Sequence, residues 1–150
     1  MPRCIRFSLL SLLAVLFAHS VCLAQVAWVE RYDDALKQAA AQKKFVVVDL
    51  SASWCGFCRK MASEVYPDNE FVEFSRGQVF VRLFTDTNPE GDRLARKFGI
   101  RGFPTIIVLN PKGEEAGRLE GFRPAPALIR GLKAIIENPA PPPARGDGSF

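Results

Sequence analysis

Hydrophobic positions change period repeatedly along this chain, and each change predicts an element. Phe7 to Ala18 is apolar apart from Ser8 and Ser11, and it follows the basic residues Arg3 and Arg6. The run is shorter than the roughly 20 residues of a spanning helix. Basic-then-apolar order predicts an export signal over residues 1–24, cleaved after Ala24 or, as second choice, after Ser20. Retention of the run as an anchor stays open. Tyr32, Ala35, Leu36, Ala39 and Ala40 then recur at helical spacing, with Asp33 and Asp34 in front and Lys43 and Lys44 behind. That charge order suits a helix dipole. Phe45 to Leu50 is β-branched and apolar but for Asp49, as expected of a strand buried on both faces. A helix is expected from near Cys55 to Ser63 or beyond, a short helix over Asn69 to Ser75, and a strand over Val79 to Phe84.

Asn88-Pro89 reads as a cap followed by proline in the first helical turn, opening a helix that ends at Gly99. Thr105 to Leu109 is a strand, Asn110 to Gly113 a turn, and Glu115 to Glu120 its antiparallel return. Leu128, Ile129, Leu132, Ile135 and Ile136 line one helical face. The order is helix, strand, helix, strand, helix, hairpin, helix. It predicts an α/β domain over residues 25–137, with a mixed central sheet flanked by helices. Residues 138–150, rich in Pro and Gly and without apolar periodicity, read as a disordered tail.

Charge and cysteine content narrow the chemistry. The 150 residues carry 20 Lys+Arg and 16 Asp+Glu. Loss of residues 1–24 removes Arg3 and Arg6 and leaves a net charge of about +2. So small an excess predicts neither nucleic acid nor anionic lipid as a partner. Cys4, Cys22 and the single histidine, His19, leave with the signal. Cys55 and Cys58 remain. Two ligands are too few for a structural zinc site, which takes about four, so no metal is expected. A Cys–His hydrolase lacks its imidazole. A cross-link over so short a loop removes little unfolded-state entropy, so the pair makes a poor staple. Redox chemistry is left. No nicotinamide or flavin motif is present, and no cofactor is expected.

A thiol at a helix start meets free N–H groups and the positive end of the dipole, which favour its thiolate over that of a free cysteine. Cys55 is therefore the expected nucleophile, reachable from solvent. Cys58, one turn on and on the same face, is the expected resolving thiol beneath it. The plainer alternative is a pair of ordinary core cysteines. Trp54 and Phe57 flank the thiols and are candidate apolar contacts for a substrate segment, although Trp54 also suits core packing. Gly56 permits close approach of a partner backbone. Arg59 and Lys60 read as a solvated helix face.

Trp54-Cys55-Gly56-Phe57-Cys58, Asp49 six residues before Cys55, and Ile100-Arg101-Gly102-Phe103-Pro104-Thr105 together resemble the thioredoxin family over most of residues 28–137. Gly-Phe stands where Gly-Pro is usual between the cysteines, and the Met61 to Ser75 segment is longer. With the opening from Trp28 to Lys44, this is more similar to secreted thioredoxin-like domains. These include the soluble C-terminal domain of transmembrane thiol:disulfide interchange proteins. The resemblance implies a three-layer thioredoxin-like fold with catalytic roles for Cys55, Cys58, Asp49 and Pro104. Asp49 matches a buried acid that relays the Cys58 proton; a carboxylate in apolar surroundings holds its proton more tightly. Arg82 falls where the family often carries Lys, and its permanent charge would bias Asp49 toward ionisation. Pro104 matches a cis-proline facing the disulfide, leaving the Phe103 backbone to pair with a bound peptide.

The resemblance further implies disulfide-containing protein substrates, a membrane-bound electron donor, a periplasmic or secreted location and reduction over oxidation. A monomer is expected. An oxidase or isomerase of the same fold, and a redox-inert binding or chaperone module, stay open as alternatives.

Overall fold

The computed structural model describes residues 25–141. The expected signal and its cleavage sites, and residues 142–150 of the expected tail, lie outside the described residues. The elements in order are β1 (Trp28–Val29), α1 (Tyr32–Gln42), β2 (Val46–Ser51), α2 (Gly56–Lys60), α3 (Asn69–Ser75), β3 (Val79–Phe84), α4 (Pro89–Lys97), β4 (Thr105–Leu109), β5 (Glu115–Glu120) and α5 (Ala125–Glu137). After Lys60, α2 widens into a π-helical turn over Met61–Val65, closed by the Tyr66 N–H donating to Met61 O at 3.1 Å.

The strands form one sheet in the order β1-β3-β2-β4-β5. β1 and β3 pair in parallel, as do β3 and β2; β2–β4 and β4–β5 are antiparallel. The sheet is mixed, as the chain order predicts. β1, at its edge, went unforeseen, because two residues carry no periodicity.

Strand side chains alternate between faces, and the core divides accordingly. Val47, Phe80, Ile106 and Val108 pack against Met61, Val65, Phe71, Leu128 and Leu132 of the π-helical turn, α3 and α5. Val46, Val48, Leu50, Val81, Leu83, Ile107 and Leu109 pack against Tyr32, Ala35, Ala39 and Leu94 of α1 and α4. Helices therefore cover both faces, giving the expected three layers. All six positions of β2 are buried, which explains why its sequence reads as a continuous apolar run.

Local chemistry sets the element ends. Asn88 Oδ1 accepts from the Glu90 and Gly91 N–H groups at 2.8 and 3.4 Å, capping α4 behind Pro89. Asp68 Oδ1 accepts from Glu70 and Phe71 at 2.9 and 3.0 Å, starting α3. Gly113, at φ 79°, closes the hairpin turn between β4 and β5, a left-handed conformation that glycine adopts without penalty. Past the end of α5, the Ala140 N–H donates to Ala116 O at 2.9 Å. This contact ties the described backbone to β5 as far as Ala140.

Candidate active site

β2 ends at Ser51, and the chain turns through Ala52, Ser53 and Trp54 to Cys55, which caps α2. Three contacts hold this turn. The Thr85 N–H donates to Ser51 O at 2.8 Å. The Ser53 N–H donates to Asp86 Oδ1 at 3.0 Å and Oδ2 at 3.1 Å, and the Ser53 hydroxyl also donates to Asp86. Arg59 Nη1 donates to Ser53 O at 3.1 Å. The Ser53 hydroxyl and N–H bonds hold the Asp86 carboxyl below its usual range. The loop after β3 thus fixes the loop after β2, a relation between residues 33 apart that sequence reading missed.

Cys55 and Cys58 form a disulfide, their Cα atoms 5.3 Å apart. The Cys58 N–H donates to Cys55 Sγ at 3.1 Å. It is a free donor of the first helical turn, aimed at the sulfur expected to become the thiolate. In the disulfide state the two cysteines are buried alike. Cys55 is 5% exposed and Cys58 6%. Both sit in a small cluster with Ala52, against which Phe103 packs.

The flanking rings behave differently. Trp54 is 69% exposed and Phe57 63%, so Trp54 is not core packing. Trp54 lies edge-on to Phe103 at 6.0 Å between centroids, and Phe57 stacks on Phe122 at 6.3 Å with planes 29° apart. The Phe103–Pro104 peptide bond is cis, as the resemblance implies. Among the described residues, the Phe103 N–H and C=O make no hydrogen bond. Pro104 O accepts from Gly121 N–H at 2.9 Å, and Thr105 Oγ1 donates to Gly102 O at 2.8 Å. A Cβ at Gly56 would meet only Arg59, at 3.9 Å, so nothing inside the domain demands glycine there.

Asp49 is buried in β2, level with Arg82 of β3 in the register. Its surroundings are not the apolar ones expected. Ser51 Oγ donates to Oδ1 at 2.8 Å; Tyr66 Oη and Arg82 Nε both donate to Oδ2 at 2.8 Å. The Arg82 guanidinium contacts two rings set edge-on to each other, lying 4.3 Å from the Trp28 centroid and 4.2 Å from the Tyr66 centroid. Burial, then the Asp49 charge, pushes the Tyr66 phenol well above its ordinary value. Arg82 was foreseen beside the acid. Tyr66 and Ser51 were not; a tyrosine 17 residues away gives no local sign that it will reach Asp49.

No group of three or more His, Cys, Asp or Glu side chains among the described residues is placed to hold a metal. No described helix is long and apolar enough to cross a membrane.

Comparison with known proteins agrees with this geometry. A family model described as a thioredoxin-like domain matches residues 32–136. A protein disulfide-isomerase of Zea mays is 35% identical over 104 residues, covering 69% of this chain and 20% of the relative. The thiol:disulfide interchange protein DsbD of Pseudoalteromonas atlantica is 32% identical over 108 residues, covering 70% and 18%. The chain thus spans about a fifth of the length of these curated relatives. A solved thioredoxin from Thermus thermophilus superposes with a TM-score of 0.64 at 32% identity, over 71% of this chain and 85% of that one. With the redox pair, the cis-proline and the three-layer sheet in place, the chain belongs to the thioredoxin-like domain family.

Proposed function

We propose that this protein is an exported thiol–disulfide oxidoreductase that reduces protein disulfides in the periplasm or outside the cell. The Cys58 N–H aimed at Cys55 Sγ carries this reading. In the reduced protein that donor, with the helix start behind it, stabilises negative charge on Cys55 rather than on Cys58.

The Cys55 thiolate attacks one sulfur of a client disulfide. A mixed disulfide forms, and the other client sulfur leaves as a thiolate and takes up a proton. Cys58 then loses its proton, and its sulfur attacks Cys55 Sγ. The second client thiol leaves, and the Cys55–Cys58 disulfide closes. Two electrons and two protons have passed to the client. Two electrons from a membrane-bound donor reopen the disulfide.

Asp49 is the proton acceptor for Cys58 in this scheme. Its Oδ2 is occupied by Tyr66 and Arg82, whereas Oδ1 has one donor, Ser51, and keeps an acceptor site. Pro104 shapes the turn facing the pair, and the unpaired Phe103 backbone takes an extended client segment like an added strand. Exposed Trp54 and Phe57 supply apolar contact, and Gly56 leaves room for the client backbone. The protein acts as a monomer.

The same steps run backward would oxidise a client dithiol, and the disulfide-isomerase relative makes that the second reading. Catalysis is tested by insulin reduction with dithiothreitol, comparing wild type with Cys55→Ser. Equal rates would rule out enzymatic exchange and favour a redox-inert binding module. Titrating the Cys55–Cys58 pair against glutathione separates reductant from oxidant. A potential near that of thioredoxin, about −270 mV, supports reduction; one near −120 mV supports oxidation.

A further inference from the structure

Ser53 stands two residues before Cys55, and Arg59 directly follows Cys58. Arg59 Nη1 donates to Ser53 O at 3.1 Å, so this bond encloses the same stretch of chain as the disulfide. From the other side Ser53 is gripped by the loop after β3. Its N–H donates to Asp86 Oδ1 and Oδ2 at 3.0 and 3.1 Å, and its hydroxyl donates to Asp86 as well. Asp86 is itself held in place. The Thr85 N–H donates to Ser51 O at 2.8 Å, and the Asn88 N–H donates to Phe84 O at 2.9 Å. The N–H, hydroxyl and C=O of Ser53 are therefore all engaged, by partners from two different parts of the fold. Each bond has one charged partner, which strengthens it.

We infer that Asp86 and Arg59 are positioning residues that set the redox equilibrium of the Cys55–Cys58 pair by clamping Ser53. Their role rests on the oxidoreductase function proposed above and bears on its direction. Reduction replaces one S–S bond by two thiols, whose sulfurs cannot stay at bonding distance. The stretch from Ser53 to Arg59 then has to widen against the clamp. Holding it narrow raises the effective concentration of one thiol at the other and favours the disulfide. A protein whose disulfide is favoured gives up its two electrons more readily and is the stronger reductant.

The test equilibrates the whole protein with glutathione buffers. Two glutathione thiols become one disulfide there as Cys55–Cys58 takes up two electrons and two protons. Asp86→Ala and Arg59→Met are each expected to shift the equilibrium about fivefold toward the dithiol. The two substitutions remove charges of opposite sign. Charges acting directly on the Cys55 thiolate would therefore move the equilibrium in opposite directions. Asp86→Asn keeps an acceptor for Ser53, should shift the equilibrium less than Asp86→Ala, and serves if the alanine chain does not fold. Opposite shifts overturn the clamp, as does a shift toward the disulfide or an equilibrium that either Asp86→Ala or Arg59→Met leaves in place. Wild type that reduces insulin, with variants that do not shift, sinks the clamp alone. Wild type that does not reduce insulin sinks the oxidoreductase function with it.

Discussion

Arg82 Nε lies 2.8 Å from Asp49 Oδ2, between strands whose register sets the two residues side by side, and the Asp49 side chain is only 2% exposed. Removing one partner of a buried pair leaves a charge that neither water nor protein satisfies. Arg82→Ala is therefore expected to destabilise the fold by about 3–5 kcal/mol, read from urea unfolding. Arg82→Lys keeps the charge but gives up the guanidinium's contacts with the Trp28 and Tyr66 rings, and should fall between wild type and Arg82→Ala. If Arg82→Ala unfolds at the wild-type midpoint, the pair does not hold β2 and β3 at this point.

Tyr66 supplies the other donor to Asp49 Oδ2 and predicts a pH dependence. Its phenol is raised well above the ordinary 10.0, first by burial and then by the Asp49 charge. The folded protein therefore keeps the proton where the unfolded chain has begun to lose it. Below pH 10 both states are protonated and the contribution is complete; as pH rises above 10 the unfolded state binds fewer protons and stability falls. Tyr66→Phe should flatten this alkaline decline in urea unfolding between pH 8 and 11. At neutral pH it should cost about 1.5–3 kcal/mol through the lost hydrogen bond to a charged group. An unchanged alkaline slope would show that Tyr66 is not its source.

Most of the fold was legible because its signals are local. The run from Phe45 to Leu50 marked a fully buried strand to within a residue, and Asn88-Pro89 marked the start of α4. The cysteines declared the chemistry through their spacing and their place after that strand. Contacts made across the sheet were not legible. Tyr66 reaches Asp49, Asp86 holds Ser53, and Phe122 meets Phe57 only once the five strands are assembled into one sheet. The burial of both cysteine residues also escaped the sequence, because Phe103 packs on them from the cis-proline turn.

Packing of α5 on β5 gives a prediction that runs against propensity. Alanine normally stabilises a strand relative to glycine by roughly 0.5–1 kcal/mol. At Gly117, however, an added Cβ would lie 2.9, 3.1 and 3.3 Å from three carbons of Ile135, a β-branched side chain with little freedom to move aside. Gly117→Ala is expected to lose about 1–3 kcal/mol in urea unfolding. At Gly131 the nearest atoms are the methyl ends of Leu119, which can rotate away. The helical gain of about 1 kcal/mol offsets more of the clash there, so Gly131→Ala should be the milder change. The reverse order would mean that β5 shifts more easily than the Leu119 rotamer.

The hydrogen bond from Cys58 N–H to Cys55 Sγ predicts which sulfur reacts first. In the reduced protein at pH 7, iodoacetamide should modify Cys55 about tenfold faster than a free thiol, while Cys58 reacts slowly. Roles then separate by substitution. Cys58→Ser keeps the nucleophile and removes the resolving thiol, so a mixed disulfide with an oxidised client should accumulate and be seen by mass. Cys55→Ser removes the nucleophile and should trap nothing under the same conditions. Introducing Pro at position 58 would delete the N–H as well as the thiol. Against Cys58→Ser it should slow Cys55 alkylation, if that donor and not the wider helix start sustains the thiolate. Equal alkylation rates in the two variants would assign the effect to the helix start instead.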